Sequence, residues 1–428
     1  MKYKKYQESK DSGVEWIGQI PEKWEIKKLK FLVDCIDGKR IPLNSSERSK
    51  IPGNYPYFGA NGIVDRINDF IFNEPIIILG EDGAPFNEQF KDVAFFVNEK
   101  CWINNHAHVL VPIKIEPRFF TNALNCVEYL PFVEGSTREK LTQESMNNIP
   151  ICVPSVDEQI EISDFIKNFS EISDNLISKS KQQITLLEEK KQTTINQAVT
   201  KGLDSSVEMK SSGIEWIGEI PKHWGIMKLK FLKKESLMYG ANKTGELKNS
   251  TNIRYLRITD FDSNGNLRNT NSKFLDCDSA KEFLLEDGDI LFARSGATVG
   301  KTFIYRKNWG KACFAGYLVR FRSDKNILNH NFFYFYTQSQ NYWNYVNSVK
   351  IQATIENVSA EKYSGLCVTI PPIKEQIQIT DFLKKEVTRL DELITNSKKQ
   401  ITLLKEKKQA LITLAVTGKI DVRDSVVA

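Results

Sequence analysis

The heptapeptide GATVGKT, Gly296–Thr302, carries the residue types of a phosphate-binding loop. Such a loop needs four residues between its first glycine and the Gly-Lys-Ser/Thr, so that successive backbone N–H groups curl around the phosphates. Only Ala297, Thr298 and Val299 intervene, and no apolar run ending in a magnesium-holding Asp comes after them. An ATPase reading is therefore disfavoured. A strand running into a glycine-permitted turn that presents Arg294, Ser295 and Thr298 accounts better for DILFARSGATVG.

Other groups with apparent chemistry also fall short. DFDSNG at 260–265 has the Asp260, Asp262, Asn264, Gly265 spacing that opens a calcium loop, but the position for a bidentate Glu is Asn271, so a hairpin turn is expected. His106 and His108 could share a face as metal ligands, yet no third ligand stands nearby, and a base-contacting or structural pair is expected. The seven cysteines include no C-x-x-C pair, which argues against a zinc site and a disulfide framework and for reduced thiols. There is no glycine-rich methyl-donor loop after a strand and no Asn/Asp-Pro-Pro-aromatic tetrapeptide. The chain reads as non-catalytic, with no metal of its own.

The elements that would position these residues are written twice. Residues 11–32, DSGVEWIGQIPEKWEIKKLKFL, return at 211–232 as SSGIEWIGEIPKHWGIMKLKFL, with 15 of 22 positions identical. Residues 181–200 return at 398–417 with 14 of 20 identical. The intervals 33–148 and 233–365 do not align with each other. Duplication of a frame around divergent contents explains this order.

The second repeat reads as a long helix. Pro154 and Pro371 each precede an acidic Glu-Gln pair, Glu158–Gln159 and Glu375–Gln376, suited to a first turn, and Ser155 with Glu158 could form a capping box. Val387, Leu390, Ile394, Ser397, Ile401, Leu404, Lys408, Leu411 and Ala415 follow 3,4 spacing. The equivalent seam in the first copy is Ser170, Ser173, Ile177, Ser180, Ile184, Leu187, Lys191, Thr194 and Ala198. Ser, Thr and Lys weaken each seam as a coiled-coil core, so pairing of the two copies in antiparallel fashion, about a pseudo-twofold axis, is the expected solution. About 30 helical residues in each copy would give a rod of roughly 45 Å.

The intervals between repeats have β character at 253–261, 289–293, 76–79 and 108–113, with one helix expected over 332–346. The expected fold is α+β: two β-rich mixed α/β domains and two long antiparallel repeat helices forming a coiled coil. The boundaries are 1–148 for the first domain, 149–204 for the first long helix, 205–366 for the second domain and 367–428 for the second helix.

The chain has 59 Lys plus Arg against 54 Asp plus Glu, a net charge of +5, which permits a nucleic-acid partner without requiring one. Its first ten residues are charged with no apolar stretch behind them, and the most apolar short run, PIIILG, is far below membrane-spanning length. A cytoplasmic location is expected.

EWIG-x-IP-x-x-W twice, P-x-x-x-EQ twice, YPYFGANG (55–62), YLRITDF and GDILFARSGA (288–297) together resemble the specificity subunit of type I restriction–modification enzymes across essentially the whole chain. The resemblance implies two target recognition domains, each reading one half of a bipartite double-stranded DNA sequence, with the repeat helices as a ruler. It implies two modification subunits docked on the repeats, bringing S-adenosylmethionine and adenine methylation, and restriction subunits bringing ATP, Mg and cleavage. This chain itself would bind no cofactor. Paired surface-type residues, Lys28 and Lys228, Lys30 and Lys230, Gln183 and Gln400, suit two equivalent docking surfaces.

Side chains able to read base edges or hold phosphates in loop-like surroundings are the candidate DNA contacts. In the first domain they are Lys39, Arg40, Asn61, Asn104, His106, Thr137 and Arg138; in the second, Asn242, Lys243, Arg257, Arg294, Ser295, Thr298, Gln352 and Thr354. Two other readings use the same residues: a coiled-coil scaffold that binds proteins, and an orphan subunit that redirects another system.

Overall fold

Two helices dominate the computed structural model, Val156–Lys201 with 46 residues and Ile373–Val416 with 44, both longer than the seam alone suggested. At 1.5 Å per residue they measure about 69 and 66 Å. The structure describes residues 3–135, 138–245, 253–262, 265–351 and 357–423. These fall into two compact units: residues 1–182 with 397–428, and residues 183–396. Each long helix thus contributes to both units.

All eighteen seam positions are buried or half-buried. In the first unit Lys408 Nζ lies 2.8 Å from Asp174 Oδ2, and Arg423 lies 4.0 Å from Glu158, so the α-helical segments run antiparallel. In the second unit Lys191 Nζ lies 2.7 Å from Asp391 Oδ1. The two ion pairs are the same pair, displaced by 217 positions in each partner. In each, a lysine at a seam position reaches across to an aspartate on the other copy, a polar contact that marks the antiparallel register of the seam.

The helix starts depart from a capping box. Ser155 Oγ accepts from Glu158 N at a long 3.4 Å, but the Glu158 carboxylate turns away to Trp24 and Tyr6. The neighbouring Gln159 is buried, donating to Pro154 O and accepting from Glu116 N. Gln376 does the same with Pro371 O and Asn329 N.

The segments that do not align in sequence share one topology. The first unit has a four-stranded antiparallel sheet in the order Val33–Cys35, Ala107–Pro112, Ile76–Gly80, Ala94–Val97. The second has Met238–Tyr239, Leu318–Phe321, Ile290–Ala293, Thr302–Ile304 in the same order and sense. Beside it lies a three-stranded sheet in each unit. Pro52–Gly59 pairs antiparallel with Gly62–Ile67 and parallel with Trp102–Ile103; Ile253–Leu256 pairs antiparallel with Lys273–Leu275 and parallel with Ala312–Phe314. Seven strands correspond one to one in chain order.

The apolar runs IIIL and ILFA form central strands because both faces of the sheet are covered. Ile77 and Leu79 face the core that contains Trp24 and Leu29, while Ile76 and Ile78 face a second core with Phe58 and Ile103. Ile290 and Phe292 likewise join Trp224 and Leu229, and Leu291 and Ala293 join Leu256 and Phe314. The period of two along a strand makes this division.

The stretch 332–346 is two helices, His330–Tyr336 and Gln340–Ile351, rather than one. Buried Ser339 separates them: its hydroxyl donates to Tyr336 O and accepts from Tyr342 N, ending one helix and starting the next.

Candidate nucleic-acid interface

In the first unit the chain leaves Ile76–Gly80 through Glu81, Asp82 and Gly83, the last at φ +71°. Around this turn the structure gathers Arg40, Asn104, His106 and Arg138. Arg138 Nε lies 2.6 Å from Asp82 Oδ1, and His106 Nδ1 lies 3.2 Å from Asp82 Oδ2. Asn104 Oδ1 accepts from His106 N at 2.8 Å. His106 and Arg138 keep exposed surface, while Arg40 is largely enclosed, donating to Glu81 Oε2 at 2.6 Å and to Ala107 O at 2.7 Å. Its fork is engaged by the protein, so it positions the turn.

Beneath the turn, His108 is 1% exposed. Its Nδ1 lies 2.6 Å from Asp37 Oδ2 and its Nε2 lies 2.9 Å from Leu141 O. Both partners only accept, so the ring carries both protons. Burial alone would lower its pKa, but the hydrogen bonds to Asp37 and Cys35 and the charge of Asp37 raise it to about 9. Cys35, Asp37 and His108 have the composition of a metal cluster. As they stand, the His108 ring nitrogens both face acceptors, and His108 with Asp37 forms a buried ion pair beneath the turn.

The second unit builds the equivalent turn from different residues. Arg294 and Ser295 lead to Gly296 at φ +77°, and Gly296–Thr298 forms one 3-10 turn. The Arg294 guanidinium lies over the Tyr239 ring at 4.6 Å, and Tyr239 is part-exposed. Ser295 bridges to Asn357, and Thr298 is half-buried. The turn delivers the chain into the strand Thr302–Ile304, where Thr302 Oγ1 lies 2.7 Å from Thr337 Oγ1. A phosphate loop delivers its Ser/Thr into a helix N-terminus, which this turn does not do.

The remaining candidates lie elsewhere. Lys39 is exposed, 3.6 Å from Glu74. Asn61 is exposed in the turn between Pro52–Gly59 and Gly62–Ile67. Asn242 and Lys243 are exposed, the latter accepting from Tyr255 Oη through its carbonyl. Arg257 grips Asp260 through Nε and Nη2 and also donates to Asn271 O, so it fixes a turn. Asp262 accepts from Asn266 N, and Phe261 bridges antiparallel to Leu267. Thr137, Gln352 and Thr354, with Asn264, lie outside the described residues. Glu81, Asp82, Tyr239 and Tyr317 escaped the sequence reading, although the shared pattern of an apolar strand running into glycine at 76–83 and 290–296 marks the first two.

Two units of one mixed-sheet topology on a shared helical frame, each presenting a different polar turn, define a paired recognition fold. The model of the type I restriction modification DNA specificity domain matches residues 21–186 and again 221–403, and the chain belongs to this family. The protein S.HindORF215P of Haemophilus influenzae, whose name describes a type I restriction enzyme specificity subunit, is 26% identical over 90% of this chain and 89% of its own. The MjaVIII specificity subunit of Methanocaldococcus jannaschii is 22% identical over 95% of both chains. A chain solved in work on assembly and conformational transition of the type I system shares the fold, with a TM-score of 0.68 at 14% identity over 94% of this chain and 99% of its own. No described helix is long and apolar enough to cross a membrane.

Proposed function

We propose that this chain reads an asymmetric bipartite sequence in double-stranded DNA, one half with each unit, while the long helices fix the interval between halves. It does so for two modification subunits, which dock on the duplicated elements and carry S-adenosylmethionine and the adenine methyltransferase chemistry. Restriction subunits bring ATP, Mg and cleavage, and this chain contributes address rather than reaction. The observation that carries the reading is the identical order and sense of seven strands in both units, with Glu81–Asp82 at the turn of one and Arg294–Ser295 at the turn of the other. An unchanged frame with changed polar side chains suits unlike half-sites, because hydrogen-bonding groups at base edges carry sequence information.

The test is the set of methylated DNA motifs in the host before and after deletion of this chain. A motif of two short blocks with a fixed unspecified gap should disappear on deletion and return on complementation. Persistence of every motif would refute the reading. A protein-binding scaffold predicts no sequence-selective complex in a mobility-shift assay with the modification subunits present.

A further inference from the structure

Backbone hydrogen bonds give the two units a residue-by-residue correspondence that the sequence does not. Gly80 N donates to Val93 O at 2.8 Å, and Ala293 N donates to Lys301 O at 2.8 Å. Glu81 N donates to His106 O at 2.9 Å, and Arg294 N donates to Tyr317 O at 3.0 Å. Leu141 N donates to Glu81 O at 2.7 Å, and Val358 N donates to Arg294 O at 2.9 Å. The next residues bridge in both, Asp82 with Lys140 and Ser295 with Asn357. Strand register agrees, since Ala107 faces Gly80 and Leu318 faces Ala293. Tyr317 therefore holds in the second unit the place that His106 holds in the first.

That place has properties of its own. Tyr317 is 66% exposed, and its hydroxyl has no hydrogen-bond partner among the described residues. Its backbone is held from both sides: Arg294 N bonds its carbonyl, and Gly316 N donates to Ala241 O at 2.8 Å. Gly240 packs so closely on this crossing that a Cβ there would come 2.3 Å from Phe314 O. A rigid backbone thus holds out a large aromatic side chain with a free hydroxyl, the residue type most effective in a contact surface. Next to it stands the Arg294–Tyr239 pair. In the first unit His106 projects from the same position, part-exposed, beside Arg138 and Asp82.

We infer that Tyr317 and His106 are equivalent specificity-determining residues, each contacting a base pair in the half-site read by its own unit. The inference rests on the DNA-reading function proposed above. Tyrosine offers a hydroxyl and an apolar ring edge suited to a thymine methyl or a base acceptor; histidine offers a ring N–H suited to a purine acceptor. Difference at this one position contributes to the difference between the halves.

The experiment expresses the full chain with its modification subunits in cells and determines the methylated motif by sequencing, for Tyr317→Ala, Tyr317→Phe, Tyr317→His and His106→Ala. Tyr317→Ala should lower discrimination at one base pair of one half about tenfold, the scale of one lost base contact. His106→Ala should act on the other half. Tyr317→Phe separates hydroxyl from ring, and Tyr317→His should change the preferred base at the affected position. The thermal midpoint of each purified Tyr317 variant should equal that of the parent, since that side chain is 66% exposed. If Tyr317→Ala is unstable, Tyr317→Phe and Tyr317→His decide the matter by the same readout. A motif unchanged in Tyr317→Ala and Tyr317→His, loss in both halves alike, or both positions acting on the same half would overturn the inference. The parent motif separates the two ideas: if it is bipartite and depends on the chain, the DNA reading stands whatever Tyr317 does.

Discussion

The indole Nε1 of Trp24 donates to Glu158 Oε2 at 3.0 Å, joining two duplicated motifs 134 residues apart. Trp224 and Glu375 repeat the contact at 3.1 Å. In each unit the W of EWIG-x-IP-x-x-W is therefore latched to the Glu of P-x-x-x-EQ, which fixes the start of a long helix against the sheet-bearing domain. Tyr6 adds a second donor to Glu158 at 2.7 Å, and His223 Nε2 lies 2.9 Å from Glu375 Oε2.

Trp24→Phe keeps most of the buried ring but leaves Glu158 short of a donor. A hydrogen bond to a charged group contributes about 1.5 to 3 kcal/mol, and the loss should be of that order in urea unfolding. Trp224→Phe should cost a similar amount in the second unit. Unchanged midpoints in both variants would show that the latch carries no stability.

The ion pair Lys408–Asp174 and its counterpart Lys191–Asp391 lie at the rim of the helix seam and are partly exposed. Coupling in a double-mutant cycle with Lys408→Met and Asp174→Asn should be below about 1 kcal/mol. Exchanging the charges, Lys408→Asp with Asp174→Lys, should recover most of what Lys408→Asp alone loses. Failure of the exchange to recover any stability would show that the lysine acts through its aliphatic stem.

His108 is raised to about 9 from an ordinary value near 6.5 by its hydrogen bonds and the Asp37 charge, against the opposing effect of burial. Its contribution to folding is fully present below about pH 6.5 and is lost as pH rises through 9, a span worth about 3 kcal/mol. Asp37 is lowered: burial opposes this, but bonds from His108 and Val109 N and the charges of His108 and Arg40 prevail. Its contribution is present above its ordinary value and is lost as pH falls below it. Unfolding free energy should therefore decline between pH 6.5 and 9, and His108→Gln should flatten that slope. An unaltered slope in the variant would refute the assignment.

Arg294 lies over Tyr239 with its backbone locked to Tyr317 and Val358. Arg294→Ala should weaken binding to one half-site while leaving discrimination at the other intact, measured by mobility shift with half-site mutant duplexes. Tyr239→Leu, which removes the ring under the guanidinium, should reproduce part of the same defect. Equal loss at both halves would remove Arg294 from the reading surface.

The amino-acid sequence alone determined the duplicated frame, both long helices with every seam position, the central strands IIIL and ILFA, and the family. Those features rest on local periodicity and on repetition, which are visible along a chain. Only the tertiary structure decided that the unaligned segments share seven strands in one order. Hydrogen-bonded backbone defines that order, and backbone pairing tolerates almost any side chain in its loops. It also showed what the candidate contacts touch within the chain itself. Arg40 looked free in sequence, but Glu81, 41 positions away along the chain, engages it in the folded protein, whereas the Arg257–Asp260 pair is a local i,i+3 contact. Tyr317 became distinct only when its register was matched to that of His106, because exposure and register belong to the folded chain.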